Sequence, residues 1–213
     1  MTANYPALIV IIPLAVAVIT PVLGRISIVL AQLSAAAALL VAFISSLGAL
    51  QHALAEGSWH YYFGGWAPPW GIEYVIDPLS GGLATLVSFI GLLVLIYAVP
   101  HLATKPAREN TYFYTLYLLC VAGLLGMVVT GDVFNLYVFL EISSLAAYAL
   151  IAFGGSRATV AGYRYLLIGT AAACLYLLGI GYLYALTGSL NMADLAELLP
   201  AVDAPTALVI ATV

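Results

Sequence analysis

The chain has 213 residues, of which 65% are hydrophobic and 7% charged, with a formal net charge of -4 and a mean hydropathy of +1.14. That composition lies far outside the range of soluble domains and defines an integral membrane protein. It carries no basic patch interleaved with aromatics, which excludes a nucleic-acid-binding module.

Crossing ~30 Å of hydrocarbon takes ~20 helical residues at a rise of ~1.5 Å each. Six apolar runs meet that length: about residues 5–24, 26–54, 78–99, 111–130, 133–153 and 158–186. A seventh starts at Thr206 and breaks off at Val213, so residues 1–213 read as one transmembrane domain and as the N-terminal part of a longer subunit. The expected fold is an all-α polytopic membrane protein. "MTANYP" has no Lys or Arg and its apolar run outlasts a signal-peptide core, so the first run is expected to stay as a helix.

All five Lys and Arg residues fall after odd-numbered helices: Arg25, Lys105, Arg108, Arg157 and Arg164. The positive-inside rule makes those loops cytoplasmic and puts the N-terminus and the loops after helices 2, 4 and 6 outside. The outer loops carry Glu56, Glu73, Asp77, Asp132, Asp194, Glu197 and Asp203. Between helices 2 and 3, "SWHYYFGGWAPPWGIEYVIDPLS" is rich in aromatic and β-branched residues around Gly-Gly and Pro-Pro turns, which predicts a short hairpin at the outer interface. After helix 6, "NMADLAELLP" offers Asn191 as an N-cap, with Leu195, Leu198 and Leu199 on one face, and predicts a short amphipathic helix ended by Pro200.

Cys120 and Cys174 stand far apart inside apolar helices and read as small buried hydrophobes. No metal-ligand spacing, dinucleotide fingerprint, phosphate-binding loop or haem attachment site occurs, so neither metal nor cofactor is expected. His52, His60 and His101 lie in or beside loops, where interfacial solvation accounts for them. A serine-protease pair is not supplied either, and the chain reads as part of a transporter rather than as a catalyst by itself.

The informative residue is Glu141. It is the ninth residue of the fifth run, hence ~12 Å deep, where an acid costs ~3 kcal/mol on insertion scales. Carboxyls at that depth usually face a bundle interior and mark ion or proton paths, although a structural carboxyl held protonated between helices is the alternative. Tyr137, Ser144 and Tyr148 share its face of the helix and supply a polar setting. Arg164 on helix 6 sits ~10 Å in from the cytoplasmic side, leaving an axial gap of ~8 Å to Glu141. A guanidinium does not deprotonate, so Arg164 could bias the carboxyl or order water without carrying the proton itself. Snorkelling to the inner interface is its competing explanation.

Three stretches, "FGGWAPPWGIEYVIDPLS", "GDVFNLYVFLEISSLAAYALIA" and "YRYLLIGTAAACLYLLGIGYLYALTGSLNMADL", resemble the proton-translocating antiporter-like membrane subunits. That superfamily includes the D subunit of Mrp-type multisubunit sodium/proton antiporters and the membrane-arm subunits of respiratory complex I and related hydrogenases. The resemblance covers most of the chain and is most specific around Glu141, which matches the family's essential glutamate. It implies a partner lysine on helix 7 and a fold of roughly fourteen helices in two inverted repeats, of which this chain would hold the first part. Where relatives read Lys-Tyr-Phe early in helix 6, this chain has Arg164-Tyr165-Leu166, replacing a titratable cation with a permanent one.

The resemblance implies a proton-translocating subunit of a sodium/proton antiporter in a bacterial inner membrane. It would work with other membrane subunits, with protons and sodium as its cargo, and the wording of the hairpin and helix 5 favours the Mrp branch. The alternatives are a proton-pumping subunit of an NADH:quinone oxidoreductase or membrane hydrogenase, and a non-transporting scaffold subunit.

Overall fold

A computed structural model describes residues 4–202, so the run expected from Thr206 lies outside the described residues. Six long helices are apolar enough to cross a membrane: α1 (Tyr5–Ile26), α2 (Ile28–Glu56), α3 (Pro78–Leu102), α4 (Ala107–Val129), α5 (Val133–Ala152) and α6 (Ser156–Thr187). A short helix, α7 (Met192–Leu198), follows and passes into a single 3-10 turn, Leu199–Ala201. The chain is therefore a multi-pass, all-helical membrane protein.

Helix starts follow side-chain chemistry. Asp77 and Ser80 form a reciprocal capping box on α3, with Ser80 N donating to Asp77 Oδ1 at 2.6 Å and Asp77 N donating to Ser80 Oγ at 2.8 Å. Asp132 caps α5 through Asn135 N at 2.6 Å, and Asn191 caps α7 through Ala193 N and Asp194 N. By contrast, α4 follows Pro106 with no side-chain cap. It begins at Ala107, ahead of the apolar run at Thr111, because a helix end at a polar interface can leave its first N–H groups to water.

Small residues set the packing, as expected where lipid offers no hydrophobic drive between helices. The buried face of α2 is largely alanine, including Ala31, Ala35, Ala38, Ala42, Ala49 and Ala53. Here α1 packs on α2 and α4, α2 on α3, α4 on α5, and α5 on α6. Tyr114, Ile9, Leu39, Leu95, Leu118 and Leu125 fill the centre. Most of α6 is exposed, and Cys174, expected to be buried, lies on its outer surface.

One end of the bundle is tied together by backbone. Strands β1 (Trp59–Tyr62) and β2 (Glu73–Ile76) pair antiparallel, with Trp59 opposite Ile76. Tyr74 bridges to Thr130 and Asp132 bridges to Asn191. Gly131 N donates to Glu73 O, Val133 N to Leu190 O and Met192 N to Gly131 O, each at 2.9 Å. The connections after α2, α4 and α6 thus form one clasp, while Arg25, Lys105, Arg108 and Arg157 lie toward the other end.

Candidate functional site

Helix α5 divides its two faces between two neighbours. One face meets α4: a Cβ at Gly123 would come within 2.7 Å of the Phe139 carbonyl and the Ser143 side chain, and Cys120 Sγ lies 3.9 Å from Ser143 Oγ. Gly123 and Gly126 are the notches that admit Phe139 and Ser143.

The other face meets α6 and carries the residues singled out by the sequence. Tyr137 stacks on Tyr176, with ring centroids 6.2 Å apart and planes 13° apart. Eleven positions on, Tyr148 meets Tyr165 edge to face at 4.6 Å. Tyr148 is 8% exposed, and its ring lies over Gly169. Glu141 and Ser144 stand between these two tyrosine pairs on the same helix face and are half-buried.

Interpolating between the pairs places Glu141 level with Ala172 and Ala173. At that level α6 carries alanines and no charged residue. Among the described residues Glu141 has neither a hydrogen-bond partner nor an ion-pair partner. The carboxyl is thus flanked by hydroxyls but not held by them.

Arg164 is not brought to this site. The α6 residues turned toward α5 are Gly162, Tyr165, Gly169, Ala173 and Tyr176. Arg164 is two positions beyond Gly162, ~200° around the helix, and is exposed. It also lies eight positions from Ala172, ~12 Å along the axis. The shorter gap expected from the sequence assumed a different slide of one helix past the other.

A second polar cluster, which the sequence reading did not assemble, sits at the clasp. Glu73 is 4% exposed; its Oε1 accepts from His60 Nδ1 and its Oε2 accepts from Asn191 Nδ2 at 2.7 Å. These groups border a cavity of about 310 Å3 that also touches Asp77, Thr130 and Gly131. The available signal was an acid inside the apolar strand "EYVI", where only a buried donor makes a carboxylate tolerable. Its principal donor is 118 positions away. Nearby, burial pushes the Tyr74 hydroxyl well above its ordinary pKa, with Asn135 pulling the other way. Burial likewise raises the Asp132 carboxyl.

The fold and this seam define a polytopic membrane protein with a half-buried carboxyl between two of its helices. Residues 130–213 match the family described as NADH:quinone oxidoreductase/Mrp antiporter, TM. The chain is 63% identical over 201 residues to the N subunit of the NADH-quinone oxidoreductase of Desulforudis audaxviator, covering 94% of this chain and 40% of that protein. To the D subunit of the Na(+)/H(+) antiporter of Bacillus subtilis it is 33% identical over 194 residues, covering 91% and 39%.

Among solved structures, an archaeal respiratory complex, the membrane-bound sulfane sulfur reductase, contains a chain that superposes with a TM-score of 0.88 at 30% identity. That match covers 96% of this chain and 42% of the other. The protein belongs to the antiporter-like membrane subunit superfamily shared by Mrp antiporters and complex I, and it spans about 40% of the length of the curated relatives it matches.

Proposed function

We propose that this chain supplies a proton-carrying glutamate, Glu141, to an ion-translocating membrane subunit that works beside other membrane subunits in a bacterial plasma membrane. The observation that carries this reading is the half-buried Glu141 on the α5–α6 seam, between two tyrosine pairs and free of any fixed partner among the described residues. Protonated, the carboxyl is tolerable against the alanines of α6. Ionised, it needs water or a cation, so its charge state follows the hydration of the seam. Moving one charge through 100 mV costs ~2.3 kcal/mol, so a change of charge at one such site couples effectively to a membrane potential. Direct modulation by Arg164 is not part of this reading, because that residue stands exposed on the far face of α6.

The higher identity to a protein named as an NADH-quinone oxidoreductase subunit supports coupling to quinone reduction. The antiporter name of the Bacillus subtilis relative supports the second reading, exchange of protons for sodium. The test is proton flux in everted vesicles carrying the full-length protein in its complex, energised by quinone reduction or by a sodium gradient, for wild type, Glu141→Gln and Glu141→Ala. Loss of flux in both variants with assembly intact upholds the proton role, and the driving force that sustains wild-type flux identifies the coupling. Undiminished flux in both variants makes Glu141 structural.

A further inference from the structure

At the end of the bundle opposite the clasp, a cavity of about 470 Å3 opens between α1 and α4, lined by Pro21, Gly24, Arg25, Arg108, Thr111 and Tyr112. Two of the five Lys and Arg residues of the chain converge there from helices that are not consecutive. Among the described residues no carboxylate forms a salt bridge with either arginine. Arg108 lies over the Tyr112 ring at 5.6 Å, and its Nε donates to the Tyr112 hydroxyl at 3.4 Å. That hydroxyl therefore accepts, and its own proton has no acceptor among the described residues. Thr111 is turned inward, donating to Ala107 O at 2.9 Å. Gly24 on α1 lies directly against Thr111, so the two helices meet closely at the cavity wall.

We propose that this cavity binds the phosphodiester headgroup of an anionic phospholipid. Guanidinium forks match the paired oxygens of a phosphate, and the free Tyr112 proton supplies a further donor. A lipid is favoured over a soluble phosphate by position. Arg25 is next to last in α1 and Arg108 is second in α4, so both stand where headgroups lie. From the same end of α1, Val18, Val22 and Ile26 form an exposed strip at four-residue spacing, a surface for an acyl chain.

Native mass spectrometry of the full-length protein in its complex, titrated with phosphatidylglycerol, phosphatidylcholine or inorganic phosphate, tests this. Wild type should hold phosphatidylglycerol in preference to phosphatidylcholine, with inorganic phosphate unable to displace it. Arg25→Gln with Arg108→Gln should weaken phosphatidylglycerol binding about thirtyfold, while Lys105→Gln should leave it unchanged. Should the glutamine pair fail to assemble, Arg25→Lys with Arg108→Lys, which keeps both charges and loses both forks, should bind about fivefold more weakly than wild type. Equal binding of phosphatidylcholine, displacement by inorganic phosphate, or full binding by whichever double variant assembles would each overturn the proposal.

Discussion

The Tyr148 ring occupies the space that a side chain at position 169 would need. A Cβ at Gly169 would overlap the Tyr148 hydroxyl and lie 2.7 Å from its Cζ. The same tyrosine also holds Tyr165, so it is fixed from two directions on α6. Gly169→Ala should therefore displace the ring and cost roughly 1–3 kcal/mol, as overpacking does. Tyr148→Phe should not rescue it, because the ring carbon still collides, whereas Tyr148→Ala should make the alanine at 169 nearly neutral. Thermal unfolding in detergent of Gly169→Ala, of each Tyr148 variant and of the two double variants gives this coupling directly.

At the clasp, Glu73→Ala should be the more damaging of two changes. It removes the acceptor for His60 and for the buried Asn191 amide, leaving the amide donor unpaired at a cost of about 1–3 kcal/mol. Glu73→Gln keeps an acceptor and should cost less. Hydrogen exchange should show faster amide exchange over 59–76 and 190–198 together in the alanine variant. Loss of protection confined to the hairpin would mean that Asn191 is held by something else.

Two capping aspartates should respond to pH with opposite signs. The backbone N–H of Ser80 holds the Asp77 carboxyl below its ordinary pKa. Its contribution is complete above the unfolded-chain value of ~3.9 and is lost as pH falls through the lower folded value. Burial raises the Asp132 carboxyl, so its contribution is greatest below ~3.9 and declines as pH rises through the raised folded value. Asparagine caps helices well. Asp77→Asn should then be slightly destabilising near pH 7 and neutral in strong acid, while Asp132→Asn should be neutral or stabilising near pH 7. Unfolding midpoints of both variants across an acid-to-neutral series check the pair.

Arg164→Gln should leave the carboxyl stretch of Glu141 unchanged in infrared difference spectra, since the arginine lies on the far face of α6. A shift of that band on substitution would mean that the two groups share a water chain around the helix.

The spans were legible because hydrocarbon thickness imposes a length that a run of apolar residues satisfies in only one way. The fifth, read as 133–153, forms Val133–Ala152. The hairpin was legible from its turn residues, and α7 from Asn191 and its leucines. What periodicity could not supply was rotation and slide. Tyr137, Glu141, Ser144 and Tyr148 were grouped on one face from spacing alone, yet nothing in that spacing says the face meets α6 rather than α4. The register of two antiparallel helices is likewise set by Gly162 and Gly169 receiving Tyr148, a fit that exists only in three dimensions. Glu73 stayed hidden for a related reason: its donors come from positions 60 and 191, and chain distance carries no hint of that meeting.

Stitching three alternate connections into one patch of backbone makes that end of the bundle act as a fulcrum. A rod pinned at one end moves least there and most at its far tip, so any tilt of α6 against α5 would widen their seam progressively away from Asn191 and Thr130, and would have to draw Tyr148 off Gly169. Water drawn into such a wedge would enter from the arginine-bearing side and thin out toward the pinned side. Glu141 stands part-way along that gradient, and small rotations about the fulcrum would decide how far up the wedge the water column reaches.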